Sequence, residues 1–423
     1  MEDKDLSLES RIKENRRFYW SGILTGILFG LLICACLFLV IKIRELRNAG
    51  EIQVDATYEE ANVKEVASDA VQEKIRVLAE TINNYYMGDV TTEDLVNGLY
   101  YGMLDSLNDP YSQYYTVEEL EALMQDTQGI YYGIGAVITL DTEKELCYIK
   151  QVIEDSPAEK AGLLEGDYFA GINGTSCVGM DATEVATTLR GEKGTSATIT
   201  IHRPSTNETF DVSVTRDKVK QITVTSQMLE DNIGYIQITS FDDVTTDQFK
   251  EEYAALTAEK MQALIIDIRS NPGGNVTTVC DVSKMLLPKG LIFYTEEKDG
   301  TRTEYECDGE NEIQIPLVVL VDGHSASASE ILAGAVKDYK KGTLVGTTTF
   351  GKGIVQRLLS ISDGTAIKLT IAKYFTPNGN YIHGTGIEPD VYIEFDSEAY
   401  TNDGYDNQLQ KGIEILKQEL GIE

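Results

Sequence analysis

Apolar and polar positions follow three different periods along this 423-residue chain. Phe18 to Ile41 is an apolar run with no charged residue. At ~1.5 Å per helical residue it is long enough to cross the ~30 Å hydrocarbon core of a bilayer with some tilt. Between Val63 and Tyr86, the spacing of Val66, Ala70, Ile75, Val77, Leu78 and Ile82 predicts an amphipathic helix. A second helix is predicted over Thr92 to Leu107, with Thr92 as its N-cap and Glu93 or Asp94 in its first turn. Asn108-Asp109-Pro110-Tyr111-Ser112 has the chemistry of a turn, and Val117 to Met124 reads as a short helix.

From Gly129 to about Lys218 the period drops to two. Val137–Leu140, Cys147–Val152 and Ala197–Ile201 read as strands, Ser156–Leu163 as a short capped helix ending at Gly162, and Asp181–Arg190 as a longer helix. From Gly234 strand and helix patterns alternate. Strand Gly234–Ile238, helix Thr246–Leu256, the doubly buried strand Ala263–Ile268 and helix Cys280–Leu287 come first. Strand Leu317–Val321, helix Glu330–Asp338, strand Leu369–Phe375 and an amphipathic helix over Asn407–Leu420 complete the series.

These patterns describe a multidomain chain of α+β and α/β character. The expected order is a tail (1–17), a transmembrane helix (18–41), a polar stalk (42–62), a helical region (63–126), a compact β unit (127–218), an α/β core with helices around a mixed sheet (219–400) and a C-terminal helical segment (401–423). Tyr19 and Trp20 sit at one edge of the span. Lys4, Arg11, Lys13, Arg16 and Arg17 precede it, against Lys42, Arg44 and Arg47 after it. That bias predicts a cytoplasmic N-terminus with the rest of the chain outside the cell membrane. The run is long for a cleaved signal peptide and no A-x-A site follows it.

Charge narrows the functional classes. The net charge of -33 argues against nucleic acid or an anionic membrane surface as ligand. Of the six cysteines, Cys34 and Cys36 lie in the span, and Cys147, Cys177, Cys280 and Cys307 match no metal-ligand spacing. Disulfides and free thiols are both compatible with them. No metal, nucleotide or other cofactor is expected. The apolar faces of the N- and C-terminal helices are compatible with a homodimer.

The candidate chemistry centres on Ser325, Ser327 and Ser329, in a turn between an apolar strand and a helix start. The free N–H groups of a helix start favour an anion, so a serine there can be a nucleophile with its oxyanion site built in. Its base is less obvious. Of the three histidines, His202 lies in the β unit and His324 is too near the serines to turn back onto them. His383 is the remaining triad histidine. Lys352, between Gly351 and Gly353, is the other base, and Gln356 lies on the same face if the segment is extended. Gly346 to Gly353 imitates a phosphate-binding G-x-x-x-x-G-K but ends in glycine where that loop has Ser or Thr. Gly273-Gly274 can present an N–H inward, as can Ala328. Gly133-Ile134-Gly135-Ala136 precedes a strand and can hold a peptide carboxylate.

In this order the segments resemble the carboxy-terminal processing proteases of the S41 type, membrane-associated serine peptidases with a PDZ domain. The likeness runs from about Val71 to Leu416 and rests on Leu107–Ser112, Gly133–Ala136, Ser156–Leu163, Asp267–Gly274, Ser325–Glu330, Phe350–Gln356, Tyr374–Gly379 and Gly386–Asp390. Pro272 departs from the Asn or Gly of many members. The resemblance implies Ser327 as nucleophile, Lys352 as general base, Gln356 as its orienter, and Gly274 (or Gly273) with Ala328 as oxyanion donors. It also implies that the β unit is a PDZ domain whose Gly133–Ala136 segment takes the C-terminus of a protein substrate. Arg190 is the candidate for relaying that binding to the core. The competing reading is a catalytically inactive, membrane-tethered PDZ scaffold.

Overall fold

The computed structural model describes residues 64–422, so the apolar run 18–41, the tail before it and the stalk at 42–62 lie outside the described residues. Among the described residues no helix is long and apolar enough to cross a membrane. The chain divides into two compact units, one ending at Val117 and including 357–369, the other formed by 118–356 and 370 onward.

The first unit holds helices Asp69–Tyr85 and Thr92–Asp105. The second helix is capped by Thr91, not Thr92. Thr91 Oγ1 accepts the Asp94 N–H (3.1 Å) and Asp94 Oδ2 accepts the Thr91 N–H (2.8 Å). A cap needs extended backbone, which Thr91 has, while Thr92 is already the first helical residue. Strand Gln113–Tyr115 pairs antiparallel with Ala366–Lys368, and the Tyr114 ring packs 5.2 and 5.4 Å from those of Tyr100 and Tyr101. Neither helix contains a buried residue.

The second unit begins with the predicted β unit. Its sheet runs, in spatial order, Ala136–Asp141, Leu146–Val152, Tyr168–Ile172, Ser196–Arg203 and Glu208–Thr215, with the short strand Thr175–Ser176 alongside Tyr168–Ile172. Ile130–Gly133 pairs separately with Asp217–Lys220. Helices Pro157–Lys160 and Ala182–Leu189 close the core over Ile149, Phe169, Ile199 and Ile201. Among the described residues Ala136–Asp141 is an edge strand, paired on one side only.

A second six-stranded sheet orders Val224–Met228, Ile233–Ile238, Ala263–Asp267, Leu317–Val321, Thr343–Gly346 and Val391–Tyr392. The first pair is antiparallel and the rest are parallel, which makes it mixed. Every residue of the two central strands is buried, as expected for parallel strands covered on both faces. Leu264, Ile266, Leu317 and Val319 point to the layer that includes Phe249, Val279 and Leu332, from helices Thr245–Ala258, Val276–Lys284 and Ala328–Tyr339. Ala263, Ile265, Val318 and Leu320 point the other way, to Leu416 of helix Asn407–Leu420. The C-terminal helix therefore uses its apolar face within the fold. Arg269 ties it down, reaching Asp267 (2.6 Å) and Asp406 (2.7 Å).

The helix predicted over Cys280–Leu287 runs Val276–Lys284, and Leu286 and Leu287 enter the core after it ends. A hairpin, Gly290–Glu297 with Arg302–Cys307, was not predicted. The four cysteines in the described residues are buried free thiols. Burial raises the proton affinity of all four, Cys280 to a pKa of about 12.

Candidate active site

The strand Leu317–Val321 delivers the serine turn, and Asp322 folds it. Asp322 Oδ1 accepts N–H bonds from Ser270 (2.9 Å), His324 (3.0 Å) and Ser325 (2.9 Å). The three serines then part ways. Ser325 Oγ donates to the Ile268 carbonyl (2.8 Å) and Ser329 Oγ to the Asn271 carbonyl (3.0 Å), and both residues are fully buried. Their hydroxyls staple the turn to the neighbouring loop. Ser327 alone of the three is partly exposed. Its backbone has φ 55° and ψ -113°, a strained conformation for a residue with a side chain, held just before helix Ala328–Tyr339.

The neighbouring loop is built to approach this turn closely. A Cβ on Gly273 would lie 2.7 Å from the Ala326 carbonyl oxygen, 2.8 Å from Ser327 Cβ and 2.9 Å from the Ala328 nitrogen. The Gly273 N–H itself donates to Asn271 Oδ1 (2.9 Å). Of the two glycines, Gly273 thus contributes proximity rather than a free donor, and Gly274, which is exposed, is the better placed to offer its N–H. Ala328 is the first helical residue, where an N–H lacks an intrahelical acceptor.

The lysine loop lies against the serine turn. The Phe350 N–H donates to the Ser325 carbonyl (3.0 Å). Gly351 and Gly353 do what glycines flanking a lysine allow. An added Cβ would lie 2.8 Å from the Gly386 nitrogen at Gly351 and 2.7 Å from the His383 nitrogen at Gly353. Lys352 is partly buried. Gln356, partly buried on strand Ile354–Ser360, donates from Nε2 to Thr370 Oγ1 (3.2 Å).

One residue joins the two loops, and sequence reasoning gave it no role. Glu330 is fully buried. Its Oε2 accepts the Ser327 N–H (2.9 Å) and the Lys352 N–H (2.8 Å), and its Oε1 accepts the Gly351 N–H (2.7 Å) and Thr349 Oγ1–H (2.6 Å). The only hint in the sequence was a serine followed three residues later by glutamate at a helix start, the pattern of a capping box. The phosphate-loop imitation is resolved at the same place: the anion cradled by the Gly351 and Lys352 N–H groups is the chain's own carboxylate. Tyr374, fully buried, donates to the Ser327 carbonyl (3.2 Å). Burial and the nearby Glu330 charge keep its phenol protonated far above the usual range.

His202 Nδ1 lies 3.2 Å from Thr209 Oγ1 on the sheet of the β unit, and His324 is exposed on the turn. His383 is exposed, with its backbone against Gly353 and its ring 6.0 Å from that of Tyr381.

The sheet of the β unit carries a groove of about 250 Å³ between edge strand Ala136–Asp141 and helix Ala182–Leu189. Gly133, Ile134, Gly135 and Ala136 line it, with Leu189 and Arg190 on the helix side. Gly135 (φ 82°) has no room for a side chain, because a Cβ there would lie 2.3 Å from Ser156 Cβ. The Arg190 guanidinium lies 5.2 Å from the centre of the Tyr131 ring.

Comparison with known proteins places the chain in a family. The profile of Peptidase family S41 matches residues 232–393, that of the PDZ domain residues 148–203, and that of the Activating protease CtpB N-terminal domain residues 31–119. The carboxy-terminal processing protease CtpB of Bacillus subtilis is 36% identical over 77% of this chain and 68% of its own length. The chain belongs to the carboxy-terminal processing proteases. CtpA of the same organism is 35% identical over 78% of this chain and 71% of its own length. The solved photosystem II D1 C-terminal processing protease is 30% identical, with a TM-score of 0.45 over 78% of this chain and 88% of that one. The protein is thus a serine-type peptidase of family S41 that carries a PDZ domain beside its protease core.

Proposed function

We propose that this processing protease works through a Ser327–Lys352 dyad. Ser327 attacks the scissile carbonyl while Lys352, as a neutral amine, takes its proton. The resulting acyl-enzyme is then hydrolysed by water. Gln356, anchored through Nε2 on Thr370, offers its amide oxygen to the amine. The Gly274 and Ala328 N–H groups receive the oxyanion. The observation that carries the reading is the shared Glu330 Oε2. It holds the backbone nitrogens of Ser327 and Lys352 within 2.9 Å of one atom, while the other two candidate serines are engaged elsewhere.

The PDZ groove takes the C-terminus of a protein substrate, with Gly133–Ala136 at the carboxylate and the free edge of Ala136–Asp141 along the peptide backbone. Arg190 forms one wall of this groove and relays its occupancy to the core. The span 18–41 anchors the chain with its catalytic part outside the membrane, as the charge bias supports. The helices of 64–117 bury none of their residues and leave Val77, Leu78, Leu99 and Met103 exposed, which supports a homodimer through that unit.

A fluorophosphonate probe tests the chemistry. It should label Ser327 in the parent and leave Ser327→Ala unlabelled, while casein cleavage is lost in parallel. Labelling at Ser325 or Ser329, or casein cleavage by Ser327→Ala at the parental rate, would overturn the assignment. A His383→Ala variant that loses cleavage while Lys352→Ala keeps it would transfer the base to the histidine. Activity should rise with pH as the lysine loses its proton.

A further inference from the structure

We infer that Glu330 is the positioning residue that sets the register between Ser327 and Lys352. This rests on the Ser–Lys reading. A carboxylate has about four acceptor sites, and burying it is costly unless they are filled. In Glu330 all four donors are in place: three backbone N–H groups and one hydroxyl, at 2.6 to 2.9 Å. A cap for its own helix would need the Ser327 N–H alone. The other three donors come from the lysine loop, Thr349, Gly351 and Lys352.

The arrangement has three consequences for the chemistry. The charge-assisted bond to the Ser327 N–H helps hold that residue at φ 55°, a strained backbone conformation. The bond engages the Ser327 N–H and leaves the adjacent Ala328 N–H to face a substrate oxygen. The bond from the Lys352 N–H fixes where the lysine side chain leaves the backbone, relative to the serine held by the same oxygen. Thr349 completes the device. Its hydroxyl donates to Glu330 and accepts the Ile387 N–H (2.8 Å), tying the loop to the segment behind it.

The test uses the whole chain with Glu330→Gln, in which one oxygen becomes a donor facing donors. Misplacement by about 1 Å is enough for a hundredfold loss of rate, so kcat should fall by about that factor. KM for a peptide held in the PDZ groove should stay unchanged. Fluorophosphonate labelling of Ser327 should slow in parallel, and the pH midpoint of kcat should move as the surroundings of Lys352 change. If Glu330→Gln does not fold, Thr349 carries the test: Thr349→Val should lose about tenfold in kcat and Thr349→Ser should restore it. A parental kcat in Glu330→Gln overturns the inference. So does a loss that only tracks the folded fraction, with the pH midpoint unmoved, because that is the mark of a purely structural role. Equal rates in Thr349→Val and Thr349→Ser overturn it as well. Ser327→Ala and Lys352→Ala run alongside. If they stay active, the dyad reading is wrong. If they are inactive and Glu330→Gln is not, only this inference is wrong.

Discussion

The serine–lysine region and the PDZ groove lie in the same compact unit and are built in opposite ways. Around Ser327 the polar groups are engaged: Asp322, Ser325, Asn271, Ser329 and Glu330 each hold a backbone group of a neighbouring segment. The groove has an unpaired strand edge, two flanking glycines and an exposed arginine resting on an aromatic ring. Chemistry that stabilises a developing charge needs donors fixed before the substrate arrives. Recognition of varied peptide ends instead needs open backbone and a little freedom. The contrast predicts that substitutions in the first region act on kcat, and those in the second on binding and activation.

The largest effect should come from Lys352→Arg. A guanidinium keeps its proton at any working pH and cannot accept one from serine. Casein cleavage should fall by at least about 10³-fold, while a fluorescent C-terminal peptide still binds the groove with parental affinity. Retained cleavage would break the comparison at its centre.

Next is Gly273→Ala. Its new Cβ meets Ala326, Ser327 and Ala328 at under 3 Å, so the serine turn must shift. Loss of one oxyanion donor typically costs about 10²–10³ in kcat, and a similar loss is expected here without a change in groove affinity. Arg190→Ala should do less, and of a different kind. A relay between two sites is worth ~1–3 kcal/mol, so stimulation of cleavage by an added C-terminal peptide should drop about tenfold, with the unstimulated rate unchanged. If the unstimulated rate falls instead, the arginine belongs to the catalytic region.

Much of this was legible in the chain, for local reasons. Strand Leu317–Val321 appears with its predicted bounds because an apolar run ending in a polar turn has few alternatives. Glycines beside Lys352 marked a close approach, and the structure shows which backbone fills the space, that of His383 to Gly386. What escaped was non-local. Glu330 collects three donors from residues 349 to 352, and two of them are backbone groups that carry no sequence signature. Asn275 conceals the start of its helix because its side chain reaches Thr127 and Asp243 instead of capping. The hairpin of 290–307 did have a signal, Asp299-Gly300 between two runs, in which Asp299 accepts the Thr301 N–H (2.8 Å).

The smallest effect expected is a pH dependence of stability that separates the rigid region from the groove. Cys280 sits on helix Val276–Lys284, packed in the core that carries the serine turn, and burial raises its pKa from 9.0 to about 12. Between those values the unfolded chain has lost the thiol proton and the folded chain keeps it. The folded state then binds more protons, so stability falls as pH rises through this window. The slope from this one group is about 1.4 kcal/mol per pH unit. Tyr235 and Tyr374, whose pKa values are also raised mainly by burial, act in the same direction at higher pH. Urea melts from pH 8 to 11 should therefore show a declining midpoint. Cys280→Ala should start lower at pH 8, because it leaves a small void, and decline less steeply above pH 9. A parallel decline in both proteins would show that the thiol ionises as readily inside the fold as outside it. The protease core would then be no more closed to water than the groove beside it.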